Sequence, residues 1–107
     1  MLYLKEQPTL VDFQNYVKKL EIERGFSTQS ARDKCLLLGE EVGELFKAIR
    51  KTEGLNIDNV SKIANIDDEI ADILIYSCAL ANRFDVDLED AFRTKEEVNK
   101  KRKWTSN

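Results

Sequence analysis

The sequence predicts an all-α domain of four helices, and three observations carry that reading. Apolar residues recur at helical spacing along most of the chain. Helix breakers are scarce, with one Pro and four Gly in 107 residues. Capping and turn-forming residues fall between the apolar stripes. A chain of 107 residues is long enough for one domain, residues 1–107, with a modest core.

Thr9 is the expected N-cap of the first helix, and Asp12 three positions later suits the helix dipole. Leu10, Phe13, Val17 and Leu20 form its stripe, and Gly25 is the expected stop. Ser27 or Ser30 caps the second helix, which runs to about Lys51 with the stripe Cys35, Leu38, Val42, Leu45 and Ile49. Residues 51–59, with Gly54, read as a loop. The third helix is expected to start between Asp58 and Ser61 and to end near Arg83. It opens on an ordinary stripe, Ile63, Ile66, Ile70 and Ile73, and then turns apolar on nearly every side. A helix of that kind must be covered all round, which predicts a homo-oligomer with this helix at or near the interface. Phe84 to Val86 reads as a turn, and Asp87 caps a fourth helix running to about Lys103.

Composition removes several function classes. The net charge of −3 gives no global argument for a nucleic-acid or membrane partner, although Lys100, Lys101, Arg102 and Lys103 concentrate positive charge near one end. The chain has no histidine. Ser-His-Asp and Cys-His machinery are therefore excluded, as are His-rich zinc sites and Glu-x-x-His di-iron sites. Cys35 and Cys78 lie in apolar helical runs, where cysteine acts as a small hydrophobe. The opening residues do not read as a signal peptide, and the longest uncharged run, residues 73–82, is too short to span a membrane. A cytoplasmic location is the expectation. A metal held by this chain would have oxygen ligands, which favours magnesium or manganese.

Two stretches stand out. Leu36-Leu37-Leu38-Gly39-Glu40-Glu41-Val42-Gly43-Glu44 sets acids into an apolar helical run, and Ile66-Asp67-Asp68-Glu69-Ile70-Ala71-Asp72 does so again on the next long helix. Each contains two acids three apart, Glu41/Glu44 and Glu69/Asp72, which share one side of a helix. At about 100° per residue, the first acid of each pair sits roughly 80° off its apolar stripe, and the second about 60° further round. A lone Glu-x-x-Glu is most often a solvated helix face. Here the pattern occurs twice, with matching offsets, beside long apolar runs. Two antiparallel helices so marked would bring these carboxylates together, and their repulsion calls for a divalent cation. Glu40 lies further out and is expected to orient water.

The fourth helix begins its inner face with Leu88, Ala91 and Phe92 and continues it with Lys95, Asn99 and Arg102. Inward cations suit phosphate oxygens. They also satisfy the C-terminal end of a helix dipole, a competing role for Lys103 above all. Metal-holding carboxylates facing a cationic row describe a site for a metal-bound polyphosphate such as a nucleoside triphosphate. The chain has no Gly-rich phosphate loop, so neither a P-loop ATPase nor a Rossmann fold is expected.

At these residues the chain resembles the MazG-like family, the all-α nucleoside triphosphate pyrophosphohydrolases. The resemblance rests on Glu40-Glu41-Val42-Gly43-Glu44, on Glu69-Ile70-Ala71-Asp72 with its continuation to Tyr76, and on Lys95-x-x-x-Asn99-x-x-Arg102. It spans roughly Thr9 to Trp104. It implies a four-helix bundle that oligomerises through its central helices, as a homodimer or tetramer. It also implies Mg2+-dependent conversion of NTP and water to NMP and pyrophosphate, with Mn2+ as a substitute, in nucleotide-pool house-cleaning. Under it, Glu41, Glu44, Glu69 and Asp72 are the metal ligands, and Glu40 and Glu41 are catalytic. Lys95, Asn99 and Arg102 would contact phosphate or sugar. Phe13, Gln14 and Val17, of the same or a neighbouring subunit, would face the base. Two other readings stay open: a non-enzymatic helical oligomerisation module, and a hydrolase like the dimeric dUTPases.

Overall fold

The computed structural model describes residues 1–54 and 65–103. Four helices follow one another: α1 (Leu10–Arg24), α2 (Ala31–Thr52), α3 (Ile66–Arg83) and α4 (Leu88–Lys100). No strand occurs among the described residues.

Local chemistry sets most of the boundaries. Thr9 caps α1 in a reciprocal box with Asp12, and Ser30 does the same for α2 with Asp33. Of the two serines considered for α2, Ser30 is therefore the cap. Gly25 ends α1 at φ 77°, a left-handed conformation that glycine adopts without a Cβ penalty. Asp87 accepts a hydrogen bond from the Asp90 amide at the head of α4. The expected start of the third helix, residues 58–61, lies outside the described residues, as does Ile63. Asn65 is extended at ψ 152°, and α3 begins after it at Ile66, later than expected. Asp67, Asp68 and Glu69 in its first turn favour the positive end of the helix dipole. The last helix stops at Lys100, short of the expected Lys103.

α3 is the central element, packed against α1 on one side and α2 on another. Val17 and Leu20 of α1 bury themselves on Cys78 and Ala79 of α3, and Leu2, Phe13, Tyr16 and Leu88 close around them. Small residues on α3 let α1 approach it closely. A polar clasp fixes the same contact. The Gln14 carboxamide donates to Asn82 Oδ1 (3.2 Å) and to the Val86 carbonyl (2.7 Å), and accepts from the Leu88 amide (2.8 Å). Asn82 returns a bond to the Gln14 carbonyl at 3.0 Å. One buried side chain thus ties α1 to the end of α3 and the start of α4.

The α2–α3 seam is antiparallel and largely polar. The buried positions of α2 are Lys34 and Ala48, with half-buried Glu41 midway between them, one residue in every seven. The expected stripe of α2 lies to one side of this seam. Cys35 is exposed and Ile49 is 42% exposed, while Leu38, Val42 and Leu45 are only half-covered. Among the described elements α3 is the main neighbour of α2, so the apolar flank is only partly covered there. Of the inner face expected of α4, Leu88 packs on the core while Ala91 and Phe92 are exposed. α4 meets α1, buries no residue, and leaves Phe92 68% exposed. Ile70 of α3 (54%) and Phe46 of α2 (61%) are exposed too. No described helix is long and apolar enough to cross a membrane.

Candidate metal centre

The seam brings three of the four sequence-selected carboxylates together. One carboxylate oxygen from each of Glu41, Glu69 and Asp72 lies within 4.8 Å of the other two. α2 supplies Glu41, and α3 supplies Glu69 and Asp72 from adjacent turns of one side. Glu69 is only 4% exposed, yet its Oε2 has no hydrogen-bond partner among the described residues. A buried carboxylate oxygen left unpaired is costly, and a cation among the three groups would satisfy it.

The electrostatics agree. Glu41 is pushed from 4.5 up to about 7, first by desolvation, then by its hydrogen bond with Glu69 and the charges of Asp72, Glu69 and Glu44. Without a cation the cluster holds a proton that an isolated glutamate would have lost. Three oxygen donors and no nitrogen or sulfur suit a hard divalent ion, so the residues present fit magnesium or manganese.

Glu44 stands beside this group rather than in it. It is half-buried, 3.8 Å from Lys47, and acts on Glu41 by charge. Glu40 is exposed, as its offset from the stripe predicted.

The cationic row lies elsewhere in the chain. Lys95 and Asn99 line a groove of about 420 Å³ with Leu10, Leu74, Ser77, Leu88 and Phe92. On α3 the groove side (Leu74, Ser77) is about 140° round from the acid side (Glu69, Asp72). The expectation that these cations face the acids is therefore not met within one chain. Arg102 lies exposed just beyond α4. Of the three residues assigned to the base, Val17 is in the core, Phe13 packs on it, and the Gln14 side chain is committed to the clasp.

A family model for the MazG nucleotide pyrophosphohydrolase domain matches residues 29–104, which include both acidic motifs and α4. The chain belongs to the MazG family. Its all-α fold is that of a nucleotide pyrophosphohydrolase domain, which gives a nucleotide as the substrate class, and the acidic cluster lies within the matched residues. No curated protein matches the chain.

Sequence reasoning missed a second charged group at the seam. Glu21 is 5% exposed and sits in the fork of Arg83, with Nη1 to Oε1 and Nη2 to Oε2 both at 2.8 Å. Lys34, 3% exposed, lies 3.1 Å from Glu21 Oε2. Burial pushes the Glu21 carboxyl up, but bonds from Arg83 and Lys34 outweigh this and hold it below its ordinary value. Glu21 falls beside Val17 and Leu20 on the inner side of α1, a signal that could have found it.

Proposed function

We propose that the chain is a Mg2+-dependent nucleoside triphosphate pyrophosphohydrolase, with residues 1–107 forming one domain. It converts an NTP or dNTP and water to the nucleoside monophosphate and pyrophosphate, as a cytoplasmic house-cleaning enzyme without membrane or nucleic-acid partners. The observation that carries this is the carboxylate trio of buried Glu69 with half-buried Glu41 and Asp72, and the Glu69 oxygen left unpaired among the described residues, in a chain of the MazG family.

Glu41, Glu69 and Asp72 hold the cation, with Glu44 as a further carboxylate at the solvent edge. A cation held there would supply charge neutralisation at phosphate and a more acidic water. Glu40, exposed and next to Glu41, orients the attacking water and receives its proton. Attack falls on the α-phosphorus, and pyrophosphate leaves in line.

Lys95, Asn99 and Arg102 bind phosphate or sugar from a second copy of the chain. Two observations support this. In one chain Lys95 and Asn99 line a groove on the far side of α3 from the acids. The apolar flanks of α2, α3 and α4 at Phe46, Ile70 and Phe92 lack a cover. Phe13, on the rim of the α1–α3 core, keeps its proposed place beside the base, while Gln14 and Val17 act by holding α1 in position.

The test is a product assay. The protein is incubated with Mg2+ and a panel of NTPs and dNTPs, and products are separated by chromatography. NMP with pyrophosphate, abolished by EDTA and by Asp72→Asn, is the expected result. NDP with phosphate would overturn the assignment of the attacked phosphorus. No turnover of any nucleotide would favour a non-enzymatic oligomerisation module.

A further inference from the structure

The Glu21–Lys34–Arg83 group holds more positive charge than its carboxylate needs. Both oxygens of Glu21 are taken by the Arg83 fork, a geometry that satisfies a carboxylate by itself. Arg83 also donates to the carbonyls of Gln29, Ala79 and Phe26, so it is well satisfied. Lys34 adds a second cation to a pair already matched. A surplus buried ammonium is costly, and an apolar side chain of similar length would fill the same space more favourably.

The seam shows what Lys34 faces. Moving seven residues back along α2, from Glu41 to Lys34, corresponds to moving seven forward along α3, from Glu69 to Tyr76, as an antiparallel pair requires. The Lys34 ammonium lies 5.3 Å from the centroid of the Tyr76 ring and 5.1 Å from that of Phe26. Two aromatic faces and Glu21 thus hold it. Tyr76 follows Asp72 by one helical turn, so its ring lies against Lys34 on the side of α3 that carries the carboxylates. Its phenol is pushed up first by burial and then by the charges of Glu41 and Asp72, which places it within their field.

We propose that Lys34 is a positioning residue for the metal centre: clamped between Glu21 and Phe26, it fixes the Tyr76 ring as the wall that closes the carboxylate cluster at its Arg83 end. Lys34 touches neither metal nor substrate and acts through Tyr76. This rests on the proposed metal site, and it extends that site by a residue about two turns from Glu41 on the same helix.

The sign of one measurement separates positioning from simple charge. Mn2+ alone is the probe, with affinity read from the electron paramagnetic resonance of the free ion. If Lys34 only added positive charge near the site, Lys34→Met would tighten Mn2+ binding. If it holds the wall, Lys34→Met weakens Mn2+ binding at least threefold. A second readout needs no metal. In protein labelled with fluorotyrosine, Tyr3, Tyr16 and Tyr76 give separate 19F signals, assigned by Tyr→Phe variants. The expected result is that Lys34→Met shifts the Tyr76 signal while leaving Tyr3 unmoved, and that added Mn2+ broadens it less than in the parent. Tighter or unchanged Mn2+ binding, or an unmoved Tyr76 signal, overturns the proposal. Phe26→Leu removes one wall of the clamp without removing charge and must act in the same direction, more weakly. It decides the matter if Lys34→Met does not fold. Failure of the parent protein to bind Mn2+ overturns the metal site itself and this proposal with it, whereas Mn2+ bound equally by parent and variants overturns the role of Lys34 alone.

Discussion

Replacing Glu69 by Gln should stabilise the metal-free protein while abolishing its response to metal. Glu69 is 4% exposed, one of its oxygens is unpaired among the described residues, and it faces Glu41 and Asp72. The strain is read in Glu41, whose carboxyl is raised from 4.5 to about 7. A carboxyl raised on folding makes the folded chain bind its proton more tightly than the unfolded chain does. Its contribution to stability is therefore fullest below about 4.5 and is lost as pH rises through about 7. The full shift corresponds to about 3.4 kcal/mol, and because Glu41 is only half-buried, solvent screening reduces this to about 1–2 kcal/mol. Gln at position 69 removes one charge and offers an amide N–H to its neighbours. Glu69 accounts for only part of that shift, which desolvation leads, so in EDTA at pH 8 the variant should gain up to about 1 kcal/mol over the parent, and the gain should shrink at pH 5. With Mn2+ at a hundred times its Kd the order should reverse, since the parent alone gains about 2.7 kcal/mol. Urea unfolding followed by circular dichroism, with EDTA or Mn2+ at both pH values, measures all of this. A variant less stable than the parent in EDTA at pH 8, or equally stabilised by Mn2+, would refute the reasoning.

Gln14→Ala should cost about 2–3 kcal/mol in thermal unfolding, because it strips partners from the Val86 carbonyl and the Leu88 amide, and should leave Mn2+ affinity unchanged. Arg83→Met should cost about 3–5 kcal/mol in chemical denaturation, since Glu21 would keep only Lys34 as a buried counterion. If the chain self-associates as proposed, Ile70→Glu, at an exposed position of α3, should convert that oligomer to monomer in sedimentation velocity with helix content retained.

The order of the helices and most of their ends could be read from the chain because they depend on local chemistry. Thr9, Ser30 and Asp87 cap helices as their types predict, and Gly25 ends one. The start of α3 was misjudged because apolar periodicity carries back past Asn65, whose extended backbone begins a new element. Glu41, Glu69 and Asp72 were found because period and spacing fix which side of a helix a residue takes. Periodicity within one helix carries no information about which neighbour that side meets. For that reason the cationic row of α4 was expected opposite the acids, when Lys95 and Asn99 lie round the far side of α3. Gln14 was placed beside the base only through the family resemblance, with no motif to anchor it, and the sequence did not show the Val86 and Leu88 backbone groups that use its amide.

The α2–α3 seam links these results. Two helices usually meet through their apolar stripes, and here α2 turns Lys34, Glu41 and Ala48 to α3 instead. This arrangement aligns charge along the seam: Arg83, Glu21 and Lys34 at one end, Tyr76 between, and Glu41, Glu69 and Asp72 beyond. The cost is that Leu38, Val42 and Leu45 are only half-covered and Ile49 is exposed, beside a core whose buried cluster among the described residues is Val17, Leu20, Cys78 and Ala79. A cluster that small provides little hydrophobic stabilisation. The proposed second copy would cover the half-covered stripe and bring Lys95 and Asn99 towards the acids. On this reading, the polar seam that builds the metal centre is also what makes one chain insufficient, so loss of self-association should lower stability and turnover together.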